Sequence, residues 1–465
     1  MQISIGKKDL MWSYAGTAIS MASGFLTLPF LLVFLSADYL GLWYVFMAIG
    51  NLVVLIEFGF TPSFGRNIAY CWSGASSLTK EGCVHSDSTR IDAHLFAGVV
   101  YVCRDIYRII TAIAALILLV AATPYVMYVS SSLSADVVIA SWVIFALSTL
   151  LNLYYLYYTS FLTGMGQIAS LNKIKVVYRS FQLLASIIAL SCGFGLVGLT
   201  VANLLGCILN RFISSIVFHK NPTISKLKLS SISVTKEFKK QVYSAVSYNA
   251  YKDGIVHLAN YLSTQSMTIL SSLFFGLSDT GAFSIALQLA TTSGTVSLVA
   301  IEALTPMIQS QYQQMDFAGI RLAVGKGALA YLSVFFVCVI GVVVVIFPLL
   351  YFFKPELNLS IPLFLFMALY FFIFDWYSLF ASVLAAMNTI PYMKSYILFA
   401  GIGILLGTLA VAGFGLGPFG LIFGMIVSQC IYNAWHWPKY LANKLRTTVF
   451  CILRQTLKKY ITKQI

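Results

Sequence analysis

In the seventh long apolar run of this chain, Asn249, Asp253, His257, Asn260 and Thr264 recur at three- and four-residue intervals, with Lys252 beside them. At 100° per residue these five share one helical face about 80° wide, and Lys252 stands about 60° to one side. Such side chains hydrogen-bond hydroxyls and amides, and a carboxylate among them can hold a proton or a cation. The fifth run places Asn172, Lys175, Arg179, Gln182 and Ser186 on a second polar face. Lys175 and Arg179 make it a cationic ladder suited to an anion, and a phosphate matches the guanidinium fork. The same two cations also suit snorkelling to lipid headgroups. Three acids complete the set: Glu57 in "IEFGFTP", Glu302 in "IEALTP" and Asp375 in "FFIFDWY". Each is a candidate for pairing with a cation or for carrying a coupling proton. Arg66 and Arg211 sit near inner ends of runs, where they read as headgroup anchors or as an inside-facing gate.

The elements that must position these residues follow from composition. The 465 residues are 59% hydrophobic and 9% charged, with mean hydropathy +0.87. Soluble domains average about a quarter charged, so the chain is polytopic in a membrane. A bilayer core of about 30 Å needs about 20 apolar residues per helix, and unbroken helices are the spanning form open to runs that do not alternate. About twelve spans are expected, beginning near Trp12, Leu40, Ile109, Asp136, Val176, Gly198, Val242, Gly281, Ala328, Ile361, Ser395 and Pro418. The first is too long for a signal-peptide core and is read as retained.

Orientation is set by the 29 Lys and Arg. With both termini inside, only Lys354 falls in an outside loop, and only Arg179, Arg211 and Lys252 fall within spans. All the others lie in inside segments, as the positive-inside bias requires. The net charge of +14 therefore faces anionic inner-leaflet lipid rather than nucleic acid. The eight cysteines include no C-x-x-C pair. Cys71, Cys83, His85, His94 and Cys103 share one inside loop region, but their spacing matches no zinc pattern.

The chain reads as one six-span unit used twice. "IEFGFTP" and "IEALTP" echo each other, as do "GFGLVGL" (193–199) and "GFGLGPFGL" (413–421), followed by "CILN" and "CIYN". An even number of spans per unit makes the halves parallel. The expected fold is all-α and polytopic, with about twelve transmembrane helices in two parallel-repeat six-helix bundles around a central cavity. Residues 1–225 form the first bundle and the start of a basic linker; residues 226–465 form the rest. Span 1, the counterpart of span 7, carries Ser13, Thr17, Ser20, Gly24 and Thr27 on one face, which suits either a cavity wall or close helix packing.

No Walker A loop, H-E-x-x-H, serine elbow or aspartate-rich metal pattern occurs, so no enzyme, cofactor or bound metal is expected. Two bundles around a cavity that is cationic on its inner side suit a transporter working by alternating access on an anionic substrate.

The segment "LGLWYVFMAIGNLVVLIEFGFTPSFGRNIAY" (40–70) resembles the second-span signature of the Wzx-type O-antigen flippases. These form the polysaccharide-transport branch of the superfamily that also holds multidrug extruders and the peptidoglycan-precursor flippase. The pattern of acid, Phe-Gly-Phe, proline and arginine is matched by Glu57, Phe58 to Phe60, Pro62 and Arg66, although the family more often has Asp at the first position. Length, span number and linker extend the resemblance over nearly the whole chain. It implies a bacterial inner-membrane protein of lipopolysaccharide biosynthesis that moves undecaprenyl-diphosphate-linked oligosaccharide to the periplasmic leaflet, with spans 1 and 7 lining the cavity. The diphosphate would be held by Arg179, Lys252 and Lys175. Implied partners are that lipid-linked substrate, inner-membrane lipids, a polysaccharide polymerase and a chain-length regulator. Two alternatives stay open: a cation-coupled drug antiporter of the same fold, and a membrane-embedded polymerase or transferase of the same pathway.

Overall fold

The computed structural model describes residues 7–72, 74–79, 82–84, 91–227, 229–313, 316–353, 360–387 and 389–461. They are almost entirely helical, and they divide into two compact units, residues 1–258 and 259–465. That division falls inside one helix rather than in the linker at 225/226.

The first unit holds α1 (Lys7–Phe34), α2 (Ala37–Val54), α3 (Phe60–Trp72), α4 (Ala93–Ile117), α5 (Thr123–Val129), α6 (Ala135–Tyr154), α7 (Tyr157–Gly164), α8 (Ile168–Ser191), α9 (Gly195–His219), α10 (Pro222–Leu227) and most of α11 (Lys236–Thr264). A two-strand antiparallel hairpin, β1 (Ser77–Thr79) and β2 (Gly82–Val84), lies between α3 and α4. Inside this unit α8 packs between α1 and α9, and α6 packs on α9. The second unit holds α12 (Ser266–Phe274), α13 (Gly276–Gln313), α14 (Phe317–Gly341), α15 (Phe347–Phe353), α16 (Ile361–Ala386), α17 (Met393–Ala412), α18 (Gly417–Ile431), α19 (Asn433–Lys444) and α20 (Val449–Ile461). Here α13 packs against α14 and α16, and α17 against α18.

Nine helical runs among the described residues are long and apolar enough to cross a membrane. The helices at the positions of spans 1, 7 and 12 are also present, and each falls short for its own reason. In α1 the apolar stretch is Ala22–Phe34. Helix α11 carries the polar stripe read from the sequence, and the last span breaks at Tyr432 between α18 and α19. Spans 3 and 9 start earlier than expected, at Ala93 and Phe317, because each helix runs on below its apolar section.

The repeat is written into backbone geometry. Asp92 caps α4 by accepting from His94 N and Leu95 N, and Asp316 caps α14 by accepting from Gly319 N. Each capped helix runs 25 residues, then 5 residues of π-helix (Leu118–Ala122, Val342–Ile346), then a 7-residue α-helix. Both final helices carry proline at their second position, Pro124 and Pro348. Proline has no N–H to give and crowds the preceding turn, so widening that turn keeps the helix running. In the first unit Thr123 Oγ1 donates to Leu118 O and accepts from Trp142 Nε1 at 2.8 Å.

The glycine echo is likewise a shared turn. Gly193 and Gly195 (φ +80° and +52°) close α8 into α9, and Gly415 and Gly417 (φ +63° and +57°) close α17 into α18, in a region other residues avoid.

The glutamate echo is not shared. After Glu57 the chain breaks through Phe58 and Gly59, both at positive φ, and restarts as α3. Glu57 accepts from the backbone N–H of Thr61 in the first turn of α3 and from Tyr107 Oη at 3.2 Å, while Thr61 Oγ1 and Tyr107 Oη lie 2.7 Å apart. It caps the new helix, where an acceptor satisfies an otherwise orphaned donor. Glu302 instead stands exposed on the unbroken 38-residue α13. Glu57→Ala should therefore lower stability by about 1 kcal/mol, with Glu57→Gln close to wild type because an amide oxygen still accepts. Thermal unfolding of the purified protein checks this; equal losses for both variants would mean that the charge matters and the cap does not.

Candidate functional site

Helices α2, α6, α8 and α9 enclose a cavity of about 170 Å³ in the first unit. Helix α8 places Arg179 and Gln182 one turn apart on its wall, and a chain of hydrogen bonds fixes them. Arg179 NH1 donates to Gln182 Oε1 (3.2 Å), Gln182 Nε2 to Asn203 Oδ1 (2.8 Å), and Asn203 Nδ2 to Ser148 Oγ (3.1 Å). The Arg179 guanidinium lies 5.3 Å from the centroid of the Tyr178 ring, and its buried Nε has no hydrogen-bond partner among the described residues. Asn51, Thr149, Asn152 and Asn210 complete the polar lining, and no carboxylate is among the lining residues. Carboxamides and hydroxyls can both donate and accept, which suits sugar hydroxyls, and the single guanidinium supplies an anion contact.

The expected fifth-run face is thereby divided. Arg179 and Gln182 line the cavity and Ser186 is buried, whereas Asn172 packs directly on Gly16 of α1. Lys175, half-buried one turn from Arg179, does not line the cavity.

The seventh-run residues are only partly visible. The side chains of Asn249, Lys252 and Asp253 lie outside the described residues, as do those of Ser13 and Thr17 in α1. His257 is exposed and Asn260 half-buried. Helix α11 is tied to the α2–α3 region: Ser63 Oγ of α3 donates to Val246 O at 2.7 Å, and Gly254 lies against the Phe58 ring and carbonyl at the α2–α3 break.

Arg211 does not reach for headgroups as an anchor would. It is buried, with Nε donating to Asn152 Oδ1 (3.0 Å) and NH1 to Thr159 Oγ1 (3.1 Å). Arg66 is exposed on α3.

In the second unit Asp375 is 7% exposed on α16. Its Oδ2 presses on Gly294 of α13, at a spot a Cβ would occupy, and has no hydrogen-bond partner among the described residues. The two "CI-N" echoes also diverge. Asn210 lines the first unit's cavity, while Asn433 is buried in a network with Gln429 Oε1 (2.8 Å), which also accepts from Tyr377 Oη (2.9 Å). Among the described residues no three His, Cys, Asp or Glu side chains converge on a metal-sized site, and the side chains of Cys83 and His85 lie outside them.

Phase analysis found Arg179 and Gln182 but missed Asn51, Ser148, Thr149, Asn152, Asn203 and Asn210. Their signal was an amide or hydroxyl recurring inside otherwise apolar spans, and it became a site only when four helices were brought together.

Neither a protein-family model nor a curated protein sequence matches the chain. Solved structures do. The inward-facing conformation of a multidrug resistance MATE family transporter of the MOP superfamily superposes with TM-score 0.67 at 12% identity, covering 93% of this chain and 94% of that one. The outward-facing conformation of such a transporter gives 0.59 at 14%, covering 94% of each chain. A MOP superfamily transporter from Pyrococcus furiosus, described as having a binding pocket of reversed polarity that suggests a different function, gives 0.55 at 14% and 93% of each. At such identities the likeness establishes the fold: an all-α, multi-pass membrane architecture shared with these transporters over nearly the whole chain.

Proposed function

We propose that this protein moves an undecaprenyl-diphosphate-linked oligosaccharide from the cytoplasmic to the periplasmic leaflet of a bacterial inner membrane, by alternating access and with both termini cytoplasmic. The observation that carries this reading is the cavity of the first unit, whose lining joins Arg179 to Asn51, Asn152, Gln182, Asn203 and Asn210 and includes no acid. An organic cation would meet an unscreened guanidinium there, whereas a sugar and its phosphate meet complementary donors. Arg179 and Lys252 are assigned to the diphosphate, and Lys175, which does not line this cavity, is not. The fold is one that neighbouring transporters adopt in inward-facing and outward-facing forms.

The test uses proteoliposomes loaded with lipid-linked oligosaccharide and a membrane-impermeant glycosidase. Faster cleavage when the protein is present supports the reading; unchanged cleavage with folded protein, native substrate and an imposed gradient removes it.

A cation-coupled drug antiporter remains the second reading, and Asp375 favours it. A buried carboxylate oxygen without a partner is costly unless it carries a proton or binds a cation during the cycle. Asp375→Asn should abolish dependence of transport on a proton or sodium gradient while leaving the fold intact, read by collapsing each gradient separately. Gradient dependence that survives the substitution takes Asp375 out of coupling, and ethidium efflux decides between a drug and a glycolipid cargo.

A further inference from the structure

The Arg211 guanidinium is more than nine-tenths buried inside a span, yet no carboxylate pairs with it among the described residues. A lone charge within a span is expensive, and such groups normally face a partner or a polar cavity. Its protein partners are neutral. Nε and NH2 both donate to Asn152 Oδ1 and NH1 donates to Thr159 Oγ1, so two of the five guanidinium N–H groups have no acceptor among the described residues.

Arg211 also lines a second cavity of about 330 Å³, between α6–α7 and α9, with Tyr155, Tyr158, Ile208, Phe212 and Ser215. This cavity lies under an apolar stripe. Val201, Leu205, Ile208 and Phe212 are 37%, 44%, 46% and 63% exposed at helical spacing along α9. Exposed apolar side chains on one face of a spanning helix mark the surface that meets acyl chains. The second cavity thus combines an acyl-facing wall with one uncompensated cation and three hydroxyl-bearing side chains. Asn152 links it to the polar cavity, lining that cavity while accepting from Arg211, and Cys207 borders both.

We propose that this cavity is a binding site for an anionic phospholipid of the surrounding bilayer, its phosphate on Arg211 and its acyl chains along Ile208 and Phe212. A phosphate supplies the missing counter-charge and acceptors for the two remaining N–H groups. The Tyr158 and Ser215 hydroxyls, 2.9 Å apart, stand at the same wall for the headgroup. The lipid would also fix the Arg211–Asn152 pair, and through it the wall of the polar cavity. This site is independent of which cargo that cavity carries.

The experiment measures lipid retained by the purified full-length protein, using native mass spectrometry with phosphatidylglycerol, phosphatidylcholine and polyprenyl diphosphate as separate probes. Phosphatidylglycerol should bind at least tenfold more tightly than phosphatidylcholine. Arg211→Gln should remove that preference, and Ile208→Trp, which fills the cavity from its exposed side and leaves Arg211 in place, should reduce binding of phosphatidylglycerol by a similar factor. Equal phosphatidylglycerol binding by wild type and Ile208→Trp overturns the site even if Arg211→Gln fails to fold. Displacement of bound phosphatidylglycerol by polyprenyl diphosphate at a tenfold lower concentration overturns the bilayer-lipid assignment and gives the cavity to a transported lipid. Unchanged glycosidase cleavage in the transport assay, with phosphatidylglycerol binding intact, would overturn the cargo reading and leave this one standing.

Discussion

Arg179→Gln should lower the rate of lipid-linked oligosaccharide translocation by roughly 10- to 150-fold while leaving the amount of protein in the membrane unchanged, the loss expected from one charged hydrogen-bonding partner worth about 1.5–3 kcal/mol. The fold should tolerate the change because the rest of the network stays: Gln182 still donates to Asn203, and Asn203 to Ser148. Arg179→Lys should give an intermediate rate, since it restores the charge but not the planar fork. The contrary expectation is clear. If Arg179 only snorkelled to headgroups, glutamine and lysine would both leave transport as it was, and insertion rather than rate would respond. Its position over Tyr178, on the wall of a cavity lined by four asparagines, argues for the cargo. Full export by an Arg179→Ala, Lys252→Ala double variant would end the assignment of these cations to the diphosphate.

What the sequence made legible followed from two periodicities. Apolar run lengths and charge bias gave a multi-pass helical chain, and helical phase put Arg179 and Gln182 on one face, where they now bond. Phase fails where the helix does. Glu57 and Glu302 look alike in sequence, but the first sits at a break made by two successive positive-φ residues and the second within an unbroken 38-residue helix. So short an echo cannot report that difference, because it depends on whether a glycine follows as Gly59 does, and "IEALTP" has none. Nor can a single helix show that Asn152 of α6 and Asn203 of α9 line one cavity with Gln182 of α8. Each asparagine alone reads as one polar residue in a greasy run, and only the packing of α6 on α9 and α9 on α8 converts them into a lining. The 25-5-7 pattern of spans 3 and 9 was hidden for the opposite reason. It is stored in an aspartate cap and a late proline separated by about 30 residues, with little identity between them.

Gly424→Val should be the most destabilising substitution in the second unit, and the reason was present in the sequence unread. Helix α17 carries Gly403 and Gly407, and α18 carries Gly420 and Gly424: two small-xxx-small pairs that face one another. In a membrane, helices gain little by hiding apolar surface from lipid, so association rests on van der Waals contact and close backbone approach. The approach here is extreme. A Cβ at 424 would overlap the backbone of Gly407, one at 407 would meet Leu421 O at 2.9 Å, and one at 403 would meet Met425 Sδ and Ser428 Oγ at 2.7 Å. Flexible side chains can yield, but a backbone cannot, so α17 and α18 must separate and every contact along the hairpin weakens. Overpacking against side chains costs about 1–3 kcal/mol, and against backbone the loss should reach the top of that range or exceed it. That corresponds to a fall in Tm of roughly 5–10 °C, followed by tryptophan fluorescence and size-exclusion in detergent. Gly401 supplies the control: it lies on the same helix two residues from Gly403, but nothing is within 4 Å of where its Cβ would be. Gly401→Val should leave Tm nearly unchanged. Equal losses at 401 and 424 would mean that glycine serves α17 and α18 through backbone flexibility, and the close-packing account would fall; a large loss confined to 424 would identify this hairpin as a rigid element of the second unit.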